Sequence, residues 1–227
     1  MTIEAIFLYG SWARGDQGTG SDHDLLMVTS EERSYHVTDG HLSMSYYPLA
    51  SLESKAAAGD LFVYHIVLEA KVVFDPDNVL GRLRRLLRPK ASYAAEVGHG
   101  GDLAWFLIHH HQTLPPSLVA KRIAWSVRTV LIARSAMEGR PVFAPDQLAF
   151  RSRYARASEL IALRHGEFAP PSLSLLRAFL DAETLTDPLG SDASQISWRR
   201  HFAASRNVVA LQLLKVRDES ALSRPYA

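Results

Sequence analysis

Over the first 90 residues the apolar positions come in short runs and in alternation with period two; beyond that they recur at helical spacing. Ile3 to Tyr9 is short, β-branched and aromatic, and Gly10-Ser11 halts it, which is the pattern of a buried strand ending in a tight turn. Ser11 is placed to cap a short helical turn through Trp12, Ala13 and Arg14, with Gly15 as its stop because a positive φ is readily adopted there. A polar loop, Asp16 to Gly20, leads to a second apolar run, Leu25 to Val28. Tyr35 to Val37 and Leu42 to Tyr47 flank Asp39-Gly40, a hairpin signal. Alternation in the second of these puts Leu42, Met44 and Tyr46 on an apolar face and leaves Ser43 and Ser45 on a polar one. Pro48 to Gly59 and Asp60 to Glu69 read as helices, and Lys71 to Phe74 as a short strand ended by Asp75-Pro76-Asp77. Val79 to Leu87 is amphipathic, with Arg82, Arg84, Arg85 and Arg88 forming a basic exposed side.

From Ser92 onward the strand signals vanish, and long helical segments are separated by proline and glycine. Ala91 to Thr113 is one helix or two, according to whether Gly98-His-Gly-Gly101 breaks it. Ser117 is expected to cap Leu118 to Met137, whose Val119, Ile123, Val127, Val130 and Leu131 form a core stripe; Gly139-Arg-Pro141 stops it. Further helices are expected from Pro145 through Tyr154, from Ala155 to His165, from Pro171 to Ala182, and from Ser194 to about Arg217, with a polar tail from Asp218 that frays. The pattern predicts an α+β fold: a mixed sheet with flanking helices over residues 1–90, then an all-helical bundle over 91–227.

Composition narrows the function classes. The chain has 227 residues and 47% apolar content, which suits two modest cores. Lys and Arg number 25 against 24 Asp and Glu, so the overall field gives no reason to expect nucleic acid or an anionic membrane as a partner. The absence of cysteine excludes disulfides, zinc-thiolate sites and thiol nucleophiles, and agrees with a cytoplasmic setting. No apolar run approaches the roughly 18 residues of a membrane helix.

Candidate chemistry concentrates near the N-terminus. The backbone N–H groups of the turn after Gly10 converge and suit an anion. Asp22 and Asp24 lie two apart at the start of a strand, so alternation places both carboxylates on one face and His23 on the other. Paired carboxylates suit a divalent cation with oxygen ligands, Mg2+ above all. The plainer alternative for the pair is a solvated strand start. His109, His110 and His111 do not form a metal site, because adjacent helical residues point about 100° apart. Lys121, Arg122 and Arg128 read as a solvated helix face, and Asp102 and Asp146 suit helix N-termini; the family resemblance set out next implies the alternatives, cations for a triphosphate and an acceptor-side base.

Gly10-Ser11, Arg14-Gly15 and Ser21-Asp22-His23-Asp24-Leu25 together resemble the signature of the polymerase-beta-type nucleotidyltransferase superfamily, especially its small bacterial members and the aminoglycoside nucleotidyltransferases. The resemblance implies that Ser11 and adjacent amides hold the β and γ phosphates of ATP or another nucleoside triphosphate. Gly10, Arg14, Gly15 and Ser21 complete the nucleotide-binding set, with a salt bridge or an exposed side chain as the alternative for Arg14, and Asp22 and Asp24 are the catalytic metal ligands for one or two Mg2+ ions. The implied reaction transfers a nucleoside monophosphate to a small-molecule or protein acceptor and releases pyrophosphate. Such enzymes usually carry a third carboxylate on the strand corresponding to His41 to Pro48, and here Ser43 takes that position. Asp39, Glu53 and Asp60 are the neighbouring carboxylates that could substitute. A nucleotide-binding or regulatory protein with weakened or lost catalysis is therefore the alternative reading.

Overall fold

The computed structural model describes residues 2–222, with side chains through Lys215. The chain divides into two compact units: Met1–Ala91 with Pro141–Ala144, and Ser92–Arg140 with Pro145–Ala227.

The first unit is a five-stranded mixed sheet with helices. In chain order it comprises β1 (Ile3–Tyr9), α1 (Gly10–Arg14), β2 (His23–Thr29), β3 (Tyr35–Asp39), β4 (Leu42–Pro48), α2 (Leu49–Ala57), α3 (Leu61–Glu69), β5 (Lys71–Phe74) and α4 (Val79–Leu86). The strand order is β3-β4-β2-β1-β5, with β2 and β4 parallel and the other pairs antiparallel. Ala5, Phe7, Leu26 and Val28 alternate along β1 and β2 on one side of the sheet, where they pack with Leu52, Ala56, Val63, Ile66 and Leu83 from the helices. Asp60 caps α3 by accepting from the Phe62 and Val63 N–H groups, and Asp75 caps α4 through Val79 and Leu80. Phe143 is buried and stacks on His65 of α3 at 4.4 Å, which ties the returning segment into this unit.

Two expectations within this unit are corrected. Ser11 lies inside α1; the N-cap is Tyr9, which makes no side-chain capping bond, while Gly15 ends the helix in the left-handed conformation at φ 84°. The polar face of β4 is also placed differently. Ser45 stands in register with Leu26 and Ser43 with Asp24, so both serines share the helix-covered side of the sheet. Met44 and Tyr46 lie on the opposite, more open side, where Tyr46 stacks on Tyr35 at 4.5 Å. Alternation was legible, but which face was covered depended on distant helices.

The second unit is all helical: α5 (Ala94–His110), α6 (Pro116–Met137), α7 (Pro145–Arg151), α8 (Ala157–Ala162), α9 (Pro171–Ala182), α10 (Gln195–Ala204) and α11 (Val208–Leu222), with a 3-10 turn at His111–Thr113. Gly98 to Gly101 do not break α5. A Cβ at Gly100 would lie 2.8 Å from both the Ser126 carbonyl oxygen and a Val130 methyl, so glycine here lets α5 and α6 approach backbone to backbone. Pro115 is the N-cap of α6, with Ser117 inside the helix, and α8 is shorter than the expected Ala155 to His165. The expected Ser194 to Arg217 helix is two helices. Ser194 caps α10, and buried Asn207 opens α11 by accepting from the Ala210 N–H while donating to the His99 carbonyl. The polar tail expected from Asp218 is helical to Leu222 and beyond that lies outside the described residues. Among the described residues no helix is long and apolar enough to cross a membrane.

Candidate active site at the end of the central strands

β1 and β2 run antiparallel with Tyr9 opposite Asp24, so the chain leaves β1 at Gly10 directly beside the Asp24 carboxylate. Gly10 adopts φ 72°, and a Cβ there would sit 2.6 Å from Asp24 Oδ2. Glycine thus meets two demands at one position, a left-handed turn and close approach of a carboxylate to the start of α1. Ser11 follows at half-buried exposure, and its carbonyl accepts from the Gly15 N–H at 2.8 Å and the Asp16 N–H at 3.1 Å, closing the turn.

Asp22 precedes β2 by one residue and shares a side of the strand with Asp24. Its side chain is 40% exposed. His23 points the other way and stacks on Trp12 at 4.1 Å, a packing role. Ser21 closes the intervening loop: its hydroxyl accepts from the Gly18 N–H at 3.0 Å, and its carbonyl accepts from the Trp12 indole at 3.1 Å. Gly10, Ser11, Gly15, Ser21, Asp22 and Asp24 therefore belong to one continuous structure around α1 and the start of β2.

Arg14 points elsewhere. Its guanidinium donates to Asp16 at 2.9 Å and to Glu69 at 2.8 Å, and Glu69 is also met by His65 at 3.0 Å. Burial by itself would lower the Arg14 pKa, but these two carboxylates outweigh it and raise the value. Burial likewise pushes the Glu69 carboxyl up, yet hydrogen bonds from His65 and Arg14 dominate and hold it below the usual range. The sequence allowed Arg14 a salt bridge but not its partner, since Arg14 and Glu69 are 55 positions apart. The local clue was the i,i+4 spacing of His65 and Glu69, which puts both on one face of α3.

Ser43 stands beside Asp24 in the parallel register of β2 and β4, the place where the third carboxylate was expected. None of the substitutes reaches it. Asp39 pairs with Leu42 and lies on the opposite side of the sheet, Glu53 is ion-paired with Arg82, and Asp60 caps α3 while pairing with Lys55 at 3.0 Å. Among the described residues, no three His, Asp or Glu side chains are already gathered tightly enough to hold an ion. Outside this rim, Asp102 pairs with His201 and His109 with Asp187, each at 2.6 Å, and Asp146 sits exposed in the first turn of α7. Lys121 is exposed; Arg122 is half-buried, and burial lowers its pKa.

The family model described as Polymerase beta, Nucleotidyltransferase matches residues 1–79. Among solved structures, a nucleotidyltransferase-like protein from Exiguobacterium sibiricum 255-15 is similar at 14% identity and a TM-score of 0.33, covering 96% of this chain and 86% of that one. That likeness is too remote to carry residues across. No curated protein matches the sequence. The matched span ends at Val79, the first residue of α4, so the turn, both aspartates and Ser43 all fall inside it.

Proposed function

We propose that the protein binds a nucleoside triphosphate at the Gly10-Ser11 turn and the Asp22-Asp24 rim, and transfers its nucleoside monophosphate to a hydroxyl of a small-molecule or protein acceptor. The observation that carries this reading is the seating of the Asp24 carboxylate against Gly10, where a Cβ would be 2.6 Å from Oδ2. That arrangement puts a charged oxygen donor next to a turn whose amides suit phosphate. Ser11 is the phosphate anchor. Arg14 is left out of this role, since Asp16 and Glu69 already engage its guanidinium.

The donor set fits a hard divalent cation: Asp22 and Asp24 offer carboxylate oxygens from one side of β2, and they would hold Mg2+ together with triphosphate oxygens. When bound, Mg2+ supplies charge neutralisation for the phosphates. In the transfer itself, the acceptor hydroxyl gives up its proton to solvent, its oxygen forms a bond to the α phosphorus, the α–β phosphoanhydride bond breaks, and pyrophosphate leaves. Asp22 and Asp24 fix the position of the triphosphate, and the Gly10-Ser11 turn orients its distal phosphates.

A second reading is favoured by Ser43. A neutral hydroxyl in register with Asp24 is a weaker ligand and no base, which supports nucleotide binding with slow or absent transfer. The two readings separate on one experiment: pyrophosphate release from each nucleoside triphosphate with Mg2+, with and without a panel of aminoglycoside-like and protein acceptors, for wild type and Ser43→Asp. The enzymatic reading expects acceptor-dependent release by wild type, raised about 10²-fold or more when Ser43→Asp restores the carboxylate. No release by either protein, with nucleotide binding intact, leaves only the binding function standing.

A further inference from the structure

The helical unit holds an open cavity of about 410 Å3 where α5 begins and α6, α7 and α9 end, a size that suits a small molecule. Val97 and Leu131 give it a buried apolar wall, and Met137 adds exposed apolar surface. Among the described residues, three arginines line the same space: Arg134 from α6, Arg151 at the end of α7, and Arg153 just after it.

Glu183 fixes this lining. It is only 1% exposed, and its Oε2 accepts from Arg134 Nη1 at 2.6 Å, while its carbonyl oxygen accepts from Arg134 Nη2. Its Oε1 accepts from the Ser152 hydroxyl and from the Arg153 N–H, each at 2.8 Å. A buried ion pair of this kind adds little net stability, because desolvation offsets the attraction. What it supplies is position: the Arg134 guanidinium and the backbone at Arg153 are held in place before any ligand arrives.

Positive charge is left over. Arg134 neutralises Glu183, and Arg151 pairs with Glu138, whose side chain is 62% exposed, so the second pair is a weak surface one. The Arg153 side chain has no partner among the described residues. Thr184 adds an independent observation. It follows α9 in the left-handed conformation at φ 54°, with its N–H donating to the Asp181 carbonyl at 3.0 Å and the Leu185 N–H donating to the Leu180 carbonyl at 2.9 Å. Such an ending suits glycine, and a β-branched residue is strained there. Thr184 lines the cavity, and its hydroxyl has no partner among the described residues, so the strain retains a hydrogen-bond donor beside Arg153.

We propose that this cavity binds a small organic anion, a carboxylate or phosphate monoester on an apolar body. The oxyanion meets the Arg153 guanidinium and the Thr184 hydroxyl, and the body lies against Val97 and Leu131. The planar fork of arginine matches either head group. The site belongs to the helical unit alone and is independent of the nucleotide reading of the first unit.

The test is calorimetric titration of the full chain, without added divalent cation, using hexanoate, phenyl phosphate and, as the neutral control, phenol. The proteins are wild type, Arg153→Ala, Thr184→Gly and Asp24→Ala. Wild type should bind at least one of the two anions saturably and about tenfold or more tightly than phenol, and the tighter anion identifies the head group. Arg153→Ala should weaken that anion by about tenfold or more. Thr184→Gly should raise the urea midpoint yet weaken the anion by about threefold or more, a combination that a residue kept only for folding does not give. Asp24→Ala should bind as wild type does. No saturable binding of either anion, or binding that phenol matches, overturns the proposal. So does binding unchanged in Arg153→Ala or in Thr184→Gly, or binding lost in Asp24→Ala.

Discussion

At Gly10 a single methyl group decides whether the turn and the carboxylate can coexist. Gly10→Ala forces φ 72° on an L residue and drives its Cβ to within 2.6 Å of Asp24 Oδ2. We expect a loss of about 1–3 kcal/mol of stability, read from urea midpoints, and loss of nucleotide binding beyond that drop. The need for glycine was legible in the sequence as a strand stop; its closeness to Asp24 was not, because that follows from the Tyr9-Asp24 pairing. Glu69 is the second residue of consequence. Its carboxyl is held low in the folded state, so it adds stability above its unfolded pKa of about 4.3 and loses it as the pH falls through the lower folded value. Glu69→Gln should therefore flatten the acid limb: between about pH 5 and pH 3 the wild-type denaturant midpoint should fall more steeply than that of the variant.

Elements defined by local pattern were readable, and those defined by distant partners were not. β1, the β3-β4 hairpin and α3 follow from alternation, Asp39-Gly40 and the Asp60 cap, all within a few residues of one another. The break between α10 and α11 depends on buried Asn207 reaching the His99 carbonyl, 108 positions away. The covered side of β4 likewise depends on α2 and α3. Just beyond α9, Glu183 is another long-range case: only 1% exposed, it accepts from Arg134 at 2.6 Å, from the Ser152 hydroxyl at 2.8 Å and from the Arg153 N–H at 2.8 Å. Removing Arg134 strands a buried charge. Arg134→Met should cost about 3 kcal/mol or more in denaturant unfolding, with the loss reduced when Glu183→Gln accompanies it.

At the scale of the whole molecule, a sheet unit brings chain segments from residues 9, 24 and 43 to one rim, while the helical unit contributes its own buried aromatic core around Phe106, Trp198 and Phe202. The fold and the family resemblance of residues 1–79 were legible because turn, aspartate pair and strand pattern lie close together in sequence. The state of the third position needed the register of β2 and β4. In the proposed function the Gly10-Ser11 turn and the Asp22-Asp24 pair form a cation-dependent nucleotide site. Calorimetric titration of ATP and the other triphosphates, with and without Mg2+, tests it directly in wild type, Asp22→Ala and Asp24→Ala. Wild type is expected to bind saturably and only with the cation, and each variant to bind about tenfold or more weakly. Absence of binding to wild type, or binding indifferent to both substitutions, would contradict it.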